Sequence, residues 1–207
     1  MLLTLDVTSR CRLACPKCAR THLGKDLKIS DVSMEDIRKI ADCESYDQIL
    51  FSGNYGDCIY HPQFLEVVKT LKDAGKSITI DTNGSGKSDE WWDELFKLMD
   101  GSDIINFAMD GYGETVGVYR VNFKLKDFEQ NKRTMVKAKK AGLNVFWAFI
   151  PFVFNEHQIA DAARFCIKNN IKLLVKKSGN FLKNDELLPK NPKLVSRMSR
   201  SLREDDF

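Results

Sequence analysis

Short apolar segments alternate with amphipathic segments along most of this chain, and this alternation restricts the fold more than any other feature. Six segments have the composition of buried strands, and the first five are each followed by a segment with helical spacing of apolar residues. The predicted strands are residues 2–7, 48–53, 77–84, 103–111, 144–152 and 171–177, and the predicted helices are residues 33–42, 62–75, 88–101, 126–142 and 155–170. Continuous apolar strands separated by helices indicate a parallel sheet with right-handed crossovers.

The number of strands limits the possible α/β architectures to two. Six strands are too few for a closed eight-stranded barrel, so an open, partial (β/α)6 barrel and a flat doubly wound sheet both fit. With 207 residues, 43% of them hydrophobic, the chain can form one well-filled core. We assign residues 1–180 to a core domain and residues 181–207 to a basic C-terminal extension.

The ends of two predicted helices carry recognisable caps. Ser33, the first residue of the predicted helical segment 33–42, stands where a helix N-cap is expected. Gly75 stands where a helix C-terminal cap favours glycine. These signals define the boundaries of two of the five helices.

Polar motifs follow the first four predicted strands. The cysteine-rich loop follows the first strand, residues 53–57 end and follow the second, residues 81–85 end the third, and residues 109–111 end the fourth. Because functional loops of parallel sheets follow the carboxyl ends of the strands, we expect these motifs to meet at one edge.

Three cysteines, Cys11, Cys15 and Cys18, lie within eight positions directly after the first predicted strand. Disulfide bonds do not explain them, because one of the three would stay unpaired and the other cysteines have no paired spacing. A structural zinc site needs four protein ligands and commonly shows a second ligand pair, which is missing here. The residues that could complete a zinc site are His22, Cys43 and His61. Three thiolates on a four-iron cluster leave one iron open, so the spacing favours a cluster and keeps zinc as the alternative.

Charge and hydropathy exclude several classes of protein. The net charge of +3 is far from the strongly basic footprint of a dedicated nucleic-acid binder. The longest apolar run, residues 145–154, is shorter than the roughly 20 residues that a membrane helix needs, and Pro151 interrupts it. The N-terminus lacks the features of a signal peptide. We therefore expect a soluble, cytoplasmic protein with reduced thiols and no membrane partner.

The C-terminal part of the chain is locally basic. Between Arg164 and Arg203 eleven Lys and Arg residues face two acids, Asp185 and Glu186. A solvated helix face followed by a loose end explains this distribution, and an acidic partner is the alternative.

The cysteine spacing and the motifs after it resemble the radical S-adenosylmethionine (SAM) superfamily. The resemblance extends over about residues 1–177. The segment FSGNYGDCIYHP is similar to the second-strand motif of the family, IDTNGS to its third-strand Thr-Asn-Gly, FAMDG to its fourth-strand Ser-Leu-Asp-Gly, and VYRVNF to the Tyr-Arg element that follows. The resemblance implies the open, partial (β/α)6 TIM-like barrel of parallel strands.

The resemblance also implies roles for individual residues. Asp57 matches the acid that holds the methionyl ammonium of SAM, and Arg120 matches the arginine that pairs with its carboxylate. The other residues expected to bind this cofactor are Gly53, Asn54, Asn83 and Asp110. Asp57 could instead cap a helix and Arg120 could form a surface ion pair, while Asn83 and Asp110 precede glycines in dipeptides that are common in turns.

The family's chemistry supplies the expected function. The three cysteines would hold a [4Fe–4S] cluster whose open iron binds SAM, and reductive cleavage of SAM would give a 5′-deoxyadenosyl radical that abstracts hydrogen from a substrate. An external electron donor of the flavodoxin or ferredoxin type is implied. We therefore expect an iron–sulfur oxidoreductase.

Three positions depart from the family's pattern. Lys17 replaces an aromatic residue that often packs on the adenine, Ala108 replaces a serine, and Cys58 replaces the usual proline after the acid. Because Cys58 follows Asp57 at a strand end, we consider it as a catalytic hydrogen-atom donor. The alternative, which we favour, is a small buried side chain.

The substrate is left open between three hypotheses. The third- and fourth-strand motifs are similar to those of peptide-modifying members, which favours a peptide or protein. The same chemistry on a small molecule or nucleotide is the second hypothesis. A zinc-stabilised module whose basic C-terminal segment contacts nucleic acid is the third, and it belongs to a different class of protein.

Overall fold

The computed structural model describes residues 1–176, 185–196 and 200–201, and it contains one sheet flanked by helices. The strands are β1 (Leu2–Leu5), β2 (Gln48–Phe51), β3 (Ser77–Thr82), β4 (Ile104–Ala108), β5 (Asn144–Phe149), β6 (Lys172–Val175) and β7 (Arg200–Ser201). The helices are α1 (Ala19–Leu23), α2 (Met34–Asp42), α3 (Phe64–Asp73), α4 (Asp89–Leu98), α5 (Val116–Tyr119), α6 (Leu125–Lys140), α7 (Ile159–Lys168) and α8 (Pro192–Ser196). None of the described helices is both long and apolar enough to span a bilayer.

The sheet follows the order of the chain. Strands β1 to β6 are parallel neighbours in sequence order, and the short β7 pairs antiparallel with β6. The sheet is open, because in the described residues β1 and β7 form its two edges. Helices α3, α6 and α7 pack against β3, β5 and β6 respectively, as right-handed crossovers require. The expected open, partial barrel of six parallel strands is confirmed.

Alternation along the strands separates an apolar face from a polar one. Ile78, Ile80 and Thr82 of β3 are buried, whereas Thr79 and Asp81 between them are partly accessible. Successive side chains of a strand point to opposite faces, so Ile78 and Ile80 pack under the helices and Asp81 lines the inside of the barrel. The same alternation in β4 places Asn106 on the inner face.

The predicted boundaries are close to those of the structure, with the strands consistently shorter. The Ser33 side chain accepts a hydrogen bond from the Asp36 backbone N–H at 3.1 Å, so the predicted N-cap is confirmed. Gly75 follows α3 with φ of +74°, a left-handed conformation that favours glycine. The predicted strand ends include polar loop residues that leave the ladder, such as Asn83. Helices α1, α5 and α8 and strand β7 were not predicted, because elements of two to five residues have too few positions for a period.

Asp103 lies at the amino ends of the strands, where its side chain contacts β3, α3 and the turn before β4. Its carboxylate accepts hydrogen bonds from the backbone N–H groups of Ile78 at 2.7 Å and Asp100 at 2.8 Å, and the Lys72 ammonium lies 2.8 Å from it. The Asp103 side chain is fully buried, and Lys72 also pairs with the Asp100 carboxylate at 2.8 Å. The interactions fix the start of β3 against α3 and β4.

We predict that Asp103→Ala lowers the free energy of unfolding of the apoprotein by about 3 kcal/mol, because it leaves two backbone N–H groups without their acceptor and removes one of the two carboxylates that pair with Lys72. Asp73→Ala, which removes an exposed ion pair with Lys69, should leave stability almost unchanged. Urea denaturation followed by circular dichroism measures both. Equal and small losses in the two variants would contradict a structural role for Asp103.

Candidate functional site

A cavity of about 310 Å³ lies at the carboxyl ends of the strands. Loops and strand ends from β1 to β6 contribute to it, so the expectation that the motifs meet at one edge is met. The cavity is lined by Cys11, Leu13, Cys15, Cys18, Arg20, Ser52, Gly53, Asn54, Gly56, Asp57, Asp81, Thr82, Asn83, Asn106, Ala108, Asp110, Arg120, Ala148, Ile150 and Lys176. All nine predicted cofactor and metal residues are in this set, and Cys58 is not.

The three cysteines form one wall of the cavity. The Cys11 sulfur accepts a hydrogen bond from the Leu13 backbone N–H at 3.4 Å, and the Cys18 thiol donates to the Asn54 carbonyl at 3.9 Å. The Cys18 N–H donates to the Cys15 carbonyl at 3.1 Å, which forms a turn between the last two thiols. The wall is therefore shaped by local backbone contacts.

Two arginines hold the cysteine loop in place through hydrogen bonds. Arg20 donates to the carbonyls of Ser9 at 3.1 Å and Leu13 at 3.4 Å, across the loop. Arg12 reaches the carboxylate of Asp127, which caps the first turn of α6, at 3.3 Å and 3.4 Å. The loop is thus anchored to itself and to a long helix.

The environment of the thiols disfavours free thiolates. Burial raises the pKa of Cys11 to about 12, and the nearby carboxylate of Asp57 adds to the shift. Burial also raises the pKa of Cys15, although Arg120 opposes it. A bound metal supplies the positive charge that stabilises coordinating thiolates in such a site.

The grouping of the thiols suits a cluster better than a single ion. Among the described residues, no three His, Cys, Asp or Glu side chains are close enough together to hold one metal ion. A tetrahedral zinc site needs its ligands about 2 Å from one point, whereas a cluster binds each thiolate through a different iron. All three thiols line the same cavity, as the ligands of one cluster must.

Asp57 is buried and connects the loops that follow β1, β2 and β3. Its carboxylate accepts hydrogen bonds from the Thr82 hydroxyl at 2.8 Å, from the Asn83 backbone N–H at 2.7 Å and from the Asn83 side-chain amide. Its own backbone N–H donates to the Arg10 carbonyl at 2.8 Å. Burial raises the pKa of Asp57 to about 6, while the hydrogen bonds from Asn83 and Thr82 oppose that shift. These contacts use most of the carboxylate's capacity to accept hydrogen bonds.

Close backbone packing explains a glycine in the same loop. A Cβ atom on Gly56 would lie 2.1 Å from the Thr8 carbonyl oxygen and 2.9 Å from that of Arg10. Only glycine allows the loop after β2 to approach the loop after β1 so closely, and this approach brings Asp57 next to the cysteine loop.

Arg120 and Asp110 form a largely buried ion pair in the lining of the cavity. The guanidinium Nη2 lies 2.8 Å from the Asp110 carboxylate, and the Ile150 backbone N–H donates to the same carboxylate at 2.8 Å. Burial raises the pKa of Asp110, an effect that Arg120 and the hydrogen bond from Ile150 oppose. The Arg120 Nε is buried and has no hydrogen-bond partner among the described residues. An anionic ligand in the cavity would satisfy this group, so the site fits a ligand that carries a carboxylate.

Cys58 is not part of the cavity. Its side chain is 1% exposed within the core, and its sulfur contacts the Asp81 carbonyl at 3.9 Å. The position after Asp57 therefore turns away from the cysteine wall.

Six polar residues of the cavity were not predicted as site residues: Arg20, Ser52, Asp81, Thr82, Asn106 and Lys176. Asp81 and Asn106 face each other across β3 and β4, and the Asn106 amide donates to the Asp81 carboxylate. The available signal was a polar residue on the accessible face of an otherwise apolar strand. Lys176 follows β6 directly and has no comparable signal.

The described part of the C-terminal extension contacts the cysteine loop. The Lys17 ammonium lies 2.6 Å from the Asp185 carboxylate, and the Val153 N–H donates to the Leu187 carbonyl at 3.1 Å. The proposed domain boundary at residue 180 falls outside the described residues, as do residues 181–184, 197–199 and 202–207 of the basic segment.

The chain belongs to the radical SAM superfamily, whose family model matches residues 5–166. Members of this superfamily are enzymes that use a [4Fe–4S] cluster and SAM. Two solved structures resemble this chain with 14% to 16% sequence identity, so the similarity to them bears on the fold alone.

A curated relative is the tungsten-containing aldehyde ferredoxin oxidoreductase cofactor-modifying protein of Pyrococcus furiosus. It is 32% identical over 110 residues, which are 52% of this chain and 30% of that protein. SuiB of Streptococcus suis, solved with bound SAM, has a TM-score of 0.71 and 14% identity, over 93% of this chain and 45% of SuiB. The enzyme anSMEcpe, solved with SAM and the Cp18Cys peptide, has a TM-score of 0.63 and 16% identity, over 93% of this chain and 55% of its own. This chain spans about a third of the curated relative and about half of each structural relative.

We predict that Asp57 makes the stability of the apoprotein depend on pH. Its folded pKa of about 6 lies above its ordinary value of 3.8, so between these values the folded state binds more protons than the unfolded state. The free energy of unfolding should therefore fall as the pH rises from about 4 to about 6.

The matched variant Asp57→Asn removes this titrating group and should have a shallower slope in that window. Asp110 also has a raised pKa and contributes in the same direction in both proteins, so the difference between the slopes isolates Asp57. Urea denaturation at a series of pH values measures them. Identical slopes would show that Asp57 titrates normally.

Proposed function

We propose that this protein binds a [4Fe–4S] cluster through Cys11, Cys15 and Cys18 and cleaves SAM reductively to modify a peptide or protein. The observation that carries the proposal is the convergence of three thiols, a buried carboxylate and a buried arginine on one cavity. When bound, the cluster and SAM supply a 5′-deoxyadenosyl radical that abstracts hydrogen from the substrate. An external donor of the flavodoxin or ferredoxin type supplies the electron that this cleavage consumes.

The residues of the cavity have complementary tasks. Arg120, whose buried Nε has no hydrogen-bond partner among the described residues, would pair with the carboxylate of SAM, while Asp110 holds the guanidinium in place. Asp57 stabilises the ammonium of SAM by its negative charge, with Thr82 and Asn83 fixing its orientation. The apolar side chains of Leu13, Ala108, Ala148 and Ile150 exclude water from the same cavity.

A peptide or protein substrate is supported by two relatives. SuiB has been solved with its precursor peptide SuiA, and anSMEcpe with a peptide. The name of the curated relative favours a second candidate, a small cofactor as substrate.

The cluster assignment predicts a specific effect of removing one thiol. Anaerobically reconstituted wild-type protein should bind about four irons and four sulfides, and with SAM and a reductant it should release 5′-deoxyadenosine. The Cys15→Ala variant should lose this activity and the intact cluster. Iron and sulfide analysis and chromatography of the products measure both.

The matched control is Cys58→Ala, which also removes one thiol but outside the cavity. It should retain the cluster and form 5′-deoxyadenosine. One equivalent of zinc without labile sulfide in the wild type would refute the proposal, and so would activity that persists in Cys15→Ala.

The SAM-binding role predicts that Arg120→Ala weakens SAM binding by about tenfold to a hundredfold, because a charged hydrogen bond in a buried site is lost. Arg120→Lys keeps a positive charge beside Asp110 but loses the forked geometry, so it should also bind SAM more weakly. Arg133→Ala on the exposed side of α6 is the control. Equilibrium dialysis of cluster-loaded proteins gives the affinities, and equal values in all four proteins would refute the role.

The two substrate classes can be separated in cells. Peptides and small molecules from cells that contain the wild-type protein are compared with those from cells that contain the Cys15→Ala variant. A peptide with a changed mass only in the wild type supports the proposal. A changed small molecule with unchanged peptides favours the cofactor-modifying alternative.

A further inference from the structure

The side chain of Asn83 lies between the loop after β2, which contains Asp57, and the cysteine loop. Its Nδ2 donates one hydrogen bond to the Asp57 carboxylate and another to the Cys11 sulfur at 3.7 Å. Asn83 is 4% exposed, so water does not compete for either contact. Both amide hydrogens are therefore used within the protein.

The orientation of this amide is fixed by its other end. The Asn83 Oδ1 accepts hydrogen bonds from the backbone N–H of Ser85 at 3.0 Å and from the Ser85 hydroxyl. A flipped amide would point its NH2 group at the Ser85 N–H, which can only donate. The N–H directed at Cys11 is thus determined by the network.

The backbone of Asn83 is held as firmly as its side chain. Its N–H donates to Asp57 at 2.7 Å, and its carbonyl accepts from the Asn131 side chain of α6 at 2.8 Å. Gly84, which follows, has φ of +71°, and a Cβ there would lie 2.5 Å from the Asn131 side chain. This packing keeps the amide at a constant distance from Cys11.

We propose that Asn83 is a positioning residue that raises the reduction potential of the cluster through its hydrogen bond to the Cys11 sulfur. The proposal rests on the function proposed above, in which Cys11 is a cluster ligand. Hydrogen bonds to cluster sulfurs set the reduction potential, because an N–H dipole stabilises the additional negative charge of the reduced state. The Leu13 N–H acts on the same sulfur, so Asn83 is the side-chain part of a two-donor contact.

The test is the midpoint potential of the reconstituted cluster, followed by electron paramagnetic resonance during a redox titration. Asn83→Ala should bind wild-type amounts of iron and sulfide with a more negative potential. A tenfold shift of the equilibrium toward the oxidised state corresponds to about 59 mV for one electron.

The matched control is Ser85→Ala. It removes a hydroxyl from the same network but keeps the Ser85 N–H on Asn83, and it does not touch Cys11. Its potential should equal that of the wild type. An unchanged potential in Asn83→Ala, or an equal shift in both variants, would overturn the proposal.

If the Asn83→Ala protein takes up no cluster, a second measurement on the wild-type protein tests the same hydrogen bond. Wild-type protein labelled with ¹⁵N in its asparagine side chains should show a nitrogen coupling to the reduced cluster in pulsed electron paramagnetic resonance, and its absence would overturn the proposal. Wild-type protein that binds no cluster at all would refute the proposed function itself. A cluster with an unshifted potential refutes only the role of Asn83.

Discussion

The buried carboxylate of Asp57 ties the first three loops of this protein together. Its backbone binds the loop after β1 through Arg10, and its oxygens bind the end of β3 through Thr82 and Asn83. A carboxylate without these donors would be costly to bury, and the donors would be costly to bury without the carboxylate. The close approach at Gly56 permits the contact, and the contact places Asn83 beside Cys11. The geometry of the cysteine wall thus depends on an interaction that involves no cysteine.

The parallel sheet explains why a polar cavity can lie against an apolar core. Alternation along each strand directs apolar side chains such as Ile80 under the helices and polar ones such as Asp81 toward the inside. At the carboxyl edge the cavity collects three carboxylates and three cations, since it is lined by Asp57, Asp81, Asp110, Arg20, Arg120 and Lys176. Balanced charge of this kind suits a zwitterionic ligand, whose two ends need opposite partners within a short distance.

The alternation of apolar strands and amphipathic helices predicted a parallel sheet, and the resemblance to the radical SAM superfamily selected the open, partial barrel over a flat doubly wound sheet. The same resemblance pointed to Asp57 and Arg120, which both line the cavity. It missed Asp81 and Asn106, whose pairing depends on the register of β3 and β4, and register cannot be read from either strand alone. It also gave no indication that Asn83 contacts Cys11, because the two residues are 72 positions apart and meet only through the contacts of Asp57.

The position of Lys17 shows how an open sheet can be closed at its functional edge. Strands β1 and β6 lie at opposite sides of the parallel sheet, yet the loop after β1 and the segment after β6 meet through the ion pair of Lys17 with Asp185. Asp185 is 3% exposed and Lys17 is 30% exposed, so water screens this pair less than an exposed one. The Ala14 N–H joins the same loop to the connection between β4 and β5 by donating to the Val121 carbonyl. The ion pair of Lys17, the residue that departs from the family's aromatic pattern, therefore bridges the two sides that strand pairing joins in a complete barrel.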